Sequence, residues 1–432
     1  MKNAGFPLGE VDQLANGLTL VAVELPHVSA GYAAVMVRTG PRYEDARTHG
    51  LSHFCEHMLF RGCGKWRTAQ EIARVAEGFC GSVEAVTYRD HAVYSTAFEP
   101  TAAPRALDLL ASMMRAPRFE GLAVEKRVIL EEISECFDEN GREIEIDNIS
   151  RQLLYPDDAA GLSIDGTPQS VSRFRRADLV EHHARFYGAA NMVLAVAGPM
   201  PPSRVMRQAR AAFRGLPSGQ RARLASPAQP SRGPRFRHVR HPGSQSELRL
   251  SFHAFSATAT QVPALQMLRR VLDDGFTSRF QAELVDRRGL AYEMWADVDL
   301  AEDCGSVEFG AAVTHGKEAR TVRALLQEAQ VLADTGPRRD ELTRARVRFA
   351  WALRQMHDQP AAVAEWHGRS LLLGLERRPQ HVLKSVSAVR PGDVRRVAEE
   401  VFRAGRCALT VVGAPPRREL DAARRALTRL PE

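Results

Sequence analysis

The sequence predicts an α+β protein: two homologous α/β-sandwich halves joined by a linker, each an antiparallel-rich sheet with helices against one face. Three observations predict it. The chain has 432 residues, more than one ordinary core takes and suited to two domains of about 200 residues. It repeats itself at an offset of half its length. Strand-like and helix-like stretches fall in blocks with few strict βαβ alternations, the pattern of helices set against one sheet face.

The repeat is read directly from residues 171–198, VSRFRRADLVEHHARFYGAANMVLAVAG, and 386–413, VSAVRPGDVRRVAEEVFRAGRCALTVVG. Val171 and Val386, Asp178 and Asp393, and Gly198 and Gly413 each stand 215 positions apart. In both copies an Asp opens an amphipathic stretch, where an acid caps free backbone N–H groups and complements the helix dipole. An apolar run ending at Gly follows, which suits a buried strand. Self-similarity at this period implies two similarly folded halves. They are expected at 1–216 and 237–432, with 217–236 as a linker whose Pro, Ser, Gly and Arg content builds no packed element.

In chain order, Leu18–Glu24, Gly31–Arg38 and Ala92–Phe98 read as strands of the first half, and Glu247–His253 and Ser306–Ala312 as strands of the second. Ala102–Arg115 and Val124–Phe137 read as long helices.

Composition excludes several classes. A chain 44% hydrophobic and 26% charged is foldable and globular, not disordered or collagen-like. No run approaches the ~18 apolar residues of a membrane span, and Met1–Pro7 has no apolar run or cleavage site, so a cytoplasmic protein without a secretory signal is expected. The net charge of +7 comes from 54 arginines and five lysines scattered among 52 acids. Nucleic-acid binding would need them gathered in a stripe with interleaved aromatics, so no nucleic-acid partner is expected. The six cysteines form no CxxC pair and read as buried hydrophobes or free thiols.

Residues 49–62, HGLSHFCEHMLFRG, carry the chemistry. His53, Glu56 and His57 make H-x-x-E-H among Leu51, Phe54, Met58 and Leu59, neighbours that suit a buried helix. Positions i and i+4 share a helix face, so both imidazoles aim at one point. Two imidazoles leave room on zinc for a third ligand and a water, and Glu56 stands beside that face to take a proton from the water. This order is the inverted zincin motif. With 14 histidines in 432 residues, it arises by chance only about 0.03 times. Downstream, VEKRVILEEISECF (124–137) places Glu125 and Glu132 two turns apart on one face, with Val128, Ile129 and Ile133 as packing residues. A buried carboxylate there needs a pair or a metal. Spacing alone leaves Glu125, Glu131, Glu132 and Glu135 open as the third ligand.

With these motifs the chain resembles the pitrilysin/insulinase family of inverted-zincin metallopeptidases, in particular its short branch that includes mitochondrial processing peptidase and bacterial relatives. The resemblance rests on GLSHFCEHMLFRG, EKRVILEEISE, GSVEAVTYRDHAVYSTAF (81–98) and LDDGFTSRFQAELVDRRGLAYEMWA (272–296). It implies a zinc endopeptidase with one zinc per chain, held by His53, His57 and Glu132, with Glu125 as supporting acid and Glu56 as general base. It implies further that a peptide substrate adds to an edge strand, here Ser82–Val86, with Glu84 and Ala85 in contact. Glu84 replaces the usual Asn, either as a carboxylate that favours a basic substrate residue or as a tolerated surface change.

Tyr292 matches the family's substrate-gripping Tyr, but the Arg expected seven residues earlier is Val285. A lost oxyanion donor commonly costs about 10²–10³ in rate, and Arg287 or Arg288 would point elsewhere on a helix. The branch contains heterodimers in which a zinc-free homologue supplies this pair, so a homologous partner subunit is expected, with a homodimer as the other arrangement. The competing reading is a non-catalytic, partner-binding subunit. In the second half, the positions 215 after His53, His57 and Glu132 are Leu268, Leu272 and Val347. The duplicated half therefore has no metal site, and the resemblance implies that it closes over the first like a clamshell.

Overall fold

A six-stranded and a five-stranded sheet organise the computed structural model, which describes residues 9–225, 233–375 and 378–432. Met1–Pro7, where the sequence shows no secretory signal, and residues 226–232 of the expected linker lie outside the described residues. The six-stranded sheet runs β1 (Glu10–Gln13), β2 (Thr19–Glu24), β6 (Met192–Gly198), β3 (Gly31–Val37), β5 (Ala92–Phe98) and β4 (Val83–Thr87) in spatial order. Its pairs are antiparallel except β2 with β6. In the other sheet the order is β7 (Arg235–Val239), β11 (Cys407–Val412), β8 (Gln245–Ala254), β10 (Gly305–Thr314) and β9 (Glu293–Leu300), antiparallel except β7 with β11. The repeat is thus visible as strand order: the parallel pair sits at the same place in both sheets.

The duplicated helices keep the offset. Arg176–Phe186 and Pro391–Val401 each stand 215 positions apart at both ends. Asp178 accepts from the Arg175 backbone N–H at 2.6 Å, and Asp393 from that of Arg390 at 2.7 Å. An acid thus satisfies an otherwise orphaned donor at each helix start.

The compact units are not contiguous stretches of chain. The first takes the described residues of Met1–Ser134, Ser163–Ala225 and Ala352–Gln380; the second takes Glu135–Leu162, Ser226–Trp351 and His381–Glu432. Two helices explain the division. Pro360–Leu372, late in the chain, packs on β2, β3 and β6 of the first unit, where Val363 and Ala364 join Val21, Val23, Ala195 and Ala197 in a buried cluster. Ile146–Leu154, early in the chain, packs on β8 and β11 of the second, where Ile146 and Ile149 cluster with Val412. Each occupies the position of the other in the repeat. Apolar burial at about 25 cal/mol per Å² rewards whichever segment covers the sheet, with no regard to sequence distance.

None of the six cysteines, all among the described residues, takes part in a disulfide. No described helix is long and apolar enough to cross a membrane.

Candidate metal and catalytic site

The H-x-x-E-H segment forms a helix, Leu51–Leu59, whose residues are buried except His57, which is half-buried. It starts without a side-chain cap of its own, because Gly50 precedes it in the left-handed region at φ +88°. Glu44 supplies the cap from outside: its Oε2 accepts from Gly50 N–H at 2.8 Å and its Oε1 from Ser52 N–H at 2.6 Å. Burial pushes the Glu44 carboxyl up to about 7, against these hydrogen bonds.

The helix Leu122–Ser134 packs beside the motif helix. Lys126 fastens it, donating from Nζ to the carbonyls of Ser172 and Phe174 at 2.8 Å each. Ile129 and Ile133 are buried, as expected, but Val128 is 48% exposed. Val128 and Glu132 lie one turn apart on a flank open to solvent, so Val128 is not the core residue that periodicity suggested.

On this frame the imidazoles turn their Nε2 atoms the same way, 3.2 Å apart. The Glu132 carboxylate faces both, with Oε1 4.0 Å from His53 Nε2 and Oε2 3.7 Å from His57 Nε2. Among the described residues, His53, His57 and Glu132 form the one group of three or more His, Cys, Asp or Glu donors gathered closely enough to hold a metal ion, all within 4.8 Å. Glu131 and Glu135 are exposed and outside it. Two imidazoles and a carboxylate with an open fourth position are what catalytic zinc takes. The 3.2 Å between the two nitrogens fits two ligands at about 2.0–2.1 Å from a single ion.

Each imidazole also turns its Nδ1 toward an acid. His57 Nδ1–H donates to Glu125 Oε1 at 2.9 Å, and Arg61 Nε–H donates to the other oxygen of Glu125. Asp165 Oδ1 lies 3.5 Å from His53 Nδ1. Burial, then the nearby His57, lowers the His53 pKa to about 3, which keeps the ring neutral as a ligand must be. For His57 burial works the same way, but the hydrogen bond to Glu125 and the charges of Glu56, Glu125 and Glu132 outweigh it and raise the pKa. Burial raises Glu125, yet His57 and Arg61 prevail and hold it below the usual range.

Glu56 is buried, which pushes its pKa above the ordinary carboxylate value. Thr87 Oγ1–H donates to Glu56 Oε2 at 2.5 Å. Thr87 ends β4, the last strand in the order of its sheet, so the acid of the motif is tied to an edge strand. Glu84 is exposed and Ala85 half-buried on that strand. In the second unit, Tyr292 is 94% exposed just before β9. Val285 lies in the irregular helix Phe280–Asp286. Arg287 pairs with Glu283 at 2.7 Å and Arg288 donates to Gln327 at 3.3 Å, so both are engaged elsewhere.

Thr87, Arg61, Glu44 and Asp165 are neighbours that sequence reading missed. Only Arg61, one turn after His57, carries a signal in the local spacing.

The chain is similar to known proteins along most of its length. Residues 20–164 match the family model described as Insulinase (Peptidase family M16), and residues 173–348 match that of the Peptidase M16 inactive domain. A protein of Rickettsia bellii named an uncharacterized zinc protease is 26% identical over 396 residues, covering 91% of this chain and 94% of its own length. Another of the same description, from Streptomyces coelicolor, is 27% identical over 414 residues, covering 93% and 88%. The crystal structure of a protease from Helicobacter pylori superposes with a TM-score of 0.86 at 19% identity, over 94% of this chain and all of that one, a likeness of fold.

Proposed function

The chain belongs to the insulinase family of peptidases, M16, and from that premise we propose that it is a zinc-dependent endopeptidase, with one zinc ion held by His53, His57 and Glu132. The observation that carries the reading is the convergence of two Nε2 atoms and one carboxylate beside a buried glutamate. Zinc held there by His53, His57 and Glu132 would supply Lewis acidity and would lower the pKa of a bound water toward about 7.

The protein groups do the rest. Glu56 takes the proton of the attacking water and returns it to the leaving amine. Its burial makes it a stronger base than a solvated carboxylate, the direction general-base work requires. Thr87 fixes which way the carboxylate points. Substrate lies along the free edge of β4, held by main-chain hydrogen bonds, so it is a peptide or unfolded segment able to become a strand. Ala85 leaves room for the passing backbone, and exposed Glu84 favours a basic residue.

Val285 supports one refinement. The chain supplies Tyr292 without the accompanying Arg, so a homologous, zinc-free partner subunit supplies the pair. The same observation favours a second reading, a peptidase-like subunit that binds partners without cutting.

The test measures zinc content and peptide cleavage on the purified chain, alone and with any homologous partner. Expected are about one zinc per chain, lost in His53→Ala, and cleavage that falls by about 10²–10⁴ in Glu56→Gln with zinc retained. Cleavage undiminished in Glu56→Gln would sink the mechanism. Zinc bound without cleavage, even beside a partner, favours the second reading.

A further inference from the structure

Two loops meet at the start of the motif helix. Gly50, at φ +88°, and Gly166, at φ +82°, lie back to back. A Cβ on Gly50 would stand 2.6 Å from the Asp165 carbonyl oxygen, and one on Gly166 would stand 2.7 Å from that of His49. Side chains at either position would push the loops apart. His49 Nε2 contacts both the carbonyl and the hydroxyl of Ser163, at 3.1 and 3.0 Å, and Ser163 Oγ–H donates to the Gly166 carbonyl at 3.0 Å. The segment 163–166 is therefore clamped against residues 49–50, one turn before His53.

That clamp brings the Asp165 carboxylate to 3.5 Å from His53 Nδ1. The His53 side chain is 9% exposed, and its Nδ1 is a buried atom with no hydrogen-bond partner at ordinary distance. When Nε2 binds a metal, the ring's proton must sit on Nδ1, which makes it a buried donor in need of an acceptor. The other imidazole already shows the finished arrangement, with Nδ1–H on the Glu125 carboxylate at 2.9 Å.

We infer that Asp165 is a positioning residue of the metal site, accepting the His53 Nδ1–H and setting the ring's tautomer and direction. The inference rests on the zinc reading above. Closing the remaining half ångström would bring Asp165 Oδ1 within hydrogen-bond distance, so that each imidazole is steered by its own acid.

The experiment is chelator competition for zinc on the full chain, comparing wild type with Asp165→Asn, Asp165→Glu and Asp165→Ala, with melting temperature followed in parallel. Asp165→Asn, nearly isosteric, is expected to weaken zinc binding about 10–100-fold, and Asp165→Glu to recover part of it. Peptidase kcat at limiting zinc should fall with it and return at excess zinc, with KM unchanged; a merely structural role would not be rescued by metal. Zinc affinity within twofold of wild type in both Asn and Ala variants overturns the role of Asp165 while leaving the zinc site standing. A wild-type chain that binds no zinc, with His53→Ala indistinguishable from it, overturns the zinc reading and the role of Asp165 together.

Discussion

At position 56 a carboxylate is buried within one turn of two histidines, and Thr87 holds it with its hydroxyl and its backbone. Thr87 makes that contact from a strand 31 positions away. A hydrogen bond to a charged group is commonly worth about 1.5–3 kcal/mol. Thr87→Ala is therefore expected to lower kcat by about tenfold or more with KM and zinc content little changed, while Thr87→Ser keeps most of the rate; steady-state kinetics beside metal analysis checks both. The contrast between Glu56 and Thr87 also shows what was legible. His53, Glu56 and His57 were readable because a helix brings i, i+3 and i+4 together whatever surrounds it. Thr87 and Asp165 were not, because no local period relates them to the motif. The acids of Leu122–Ser134 fall between these cases: their helix was readable, but spacing alone could not separate Glu132 from Glu131 and Glu135.

The motif helix is an element whose start depends on a residue outside it. Glu44 carries the cap that Gly50 cannot provide, and it does so at the cost of burying a carboxyl. Its pKa is about 7 in the folded protein against an ordinary value of 4.5. Between those values the folded state holds the proton more firmly than the unfolded chain. Glu44 thus favours folding most below about pH 4.5, and that advantage is lost as pH rises through 7. Denaturant melts of wild type and Glu44→Gln from pH 4.5 to 8 should show wild type losing stability relative to the variant across this window. A difference that stays constant with pH would show that Glu44 does not titrate there. The strand elements follow the same division of legibility. Apolar runs such as Met192–Gly198 announce themselves as buried strands, whereas the edge position of β4 comes from sheet order alone.

Across the whole molecule, the duplication and the fold units do not coincide. Val363, Ala364 and Leu372 complete the core of the first unit from beyond position 352. A fragment of residues 1–225 leaves the apolar face of its sheet uncovered, and each uncovered large side chain forfeits roughly 1.5–3 kcal/mol. It is expected to be expanded or aggregated. Adding residues 352–380 as a separate peptide should restore hydrogen-exchange protection to β2, β3 and β6. The proposed lack of an oxyanion donor is testable at position 285. An arginine there would return an oxyanion donor, so Val285→Arg is expected to raise kcat of the isolated chain, by up to about 10²–10³-fold. A chain equally active with Val and Arg, and unaffected by a partner, would show that no such donor is needed.

By itself the sequence determined the duplicated α+β architecture, the apolar residues at the three positions of the second copy that match His53, His57 and Glu132, and the cluster of His53, Glu56 and His57. All of these are written in periodicity or in direct repetition, which survive without knowledge of packing. Only the tertiary structure decided which acid of the second helix faces the imidazoles, which strand offers a free edge, where Asp165 and Thr87 stand, and which helix covers which sheet. Those outcomes depend on contacts between residues tens to hundreds of positions apart. Apolar burial and close packing select such contacts for the surface they cover, not for nearness along the chain.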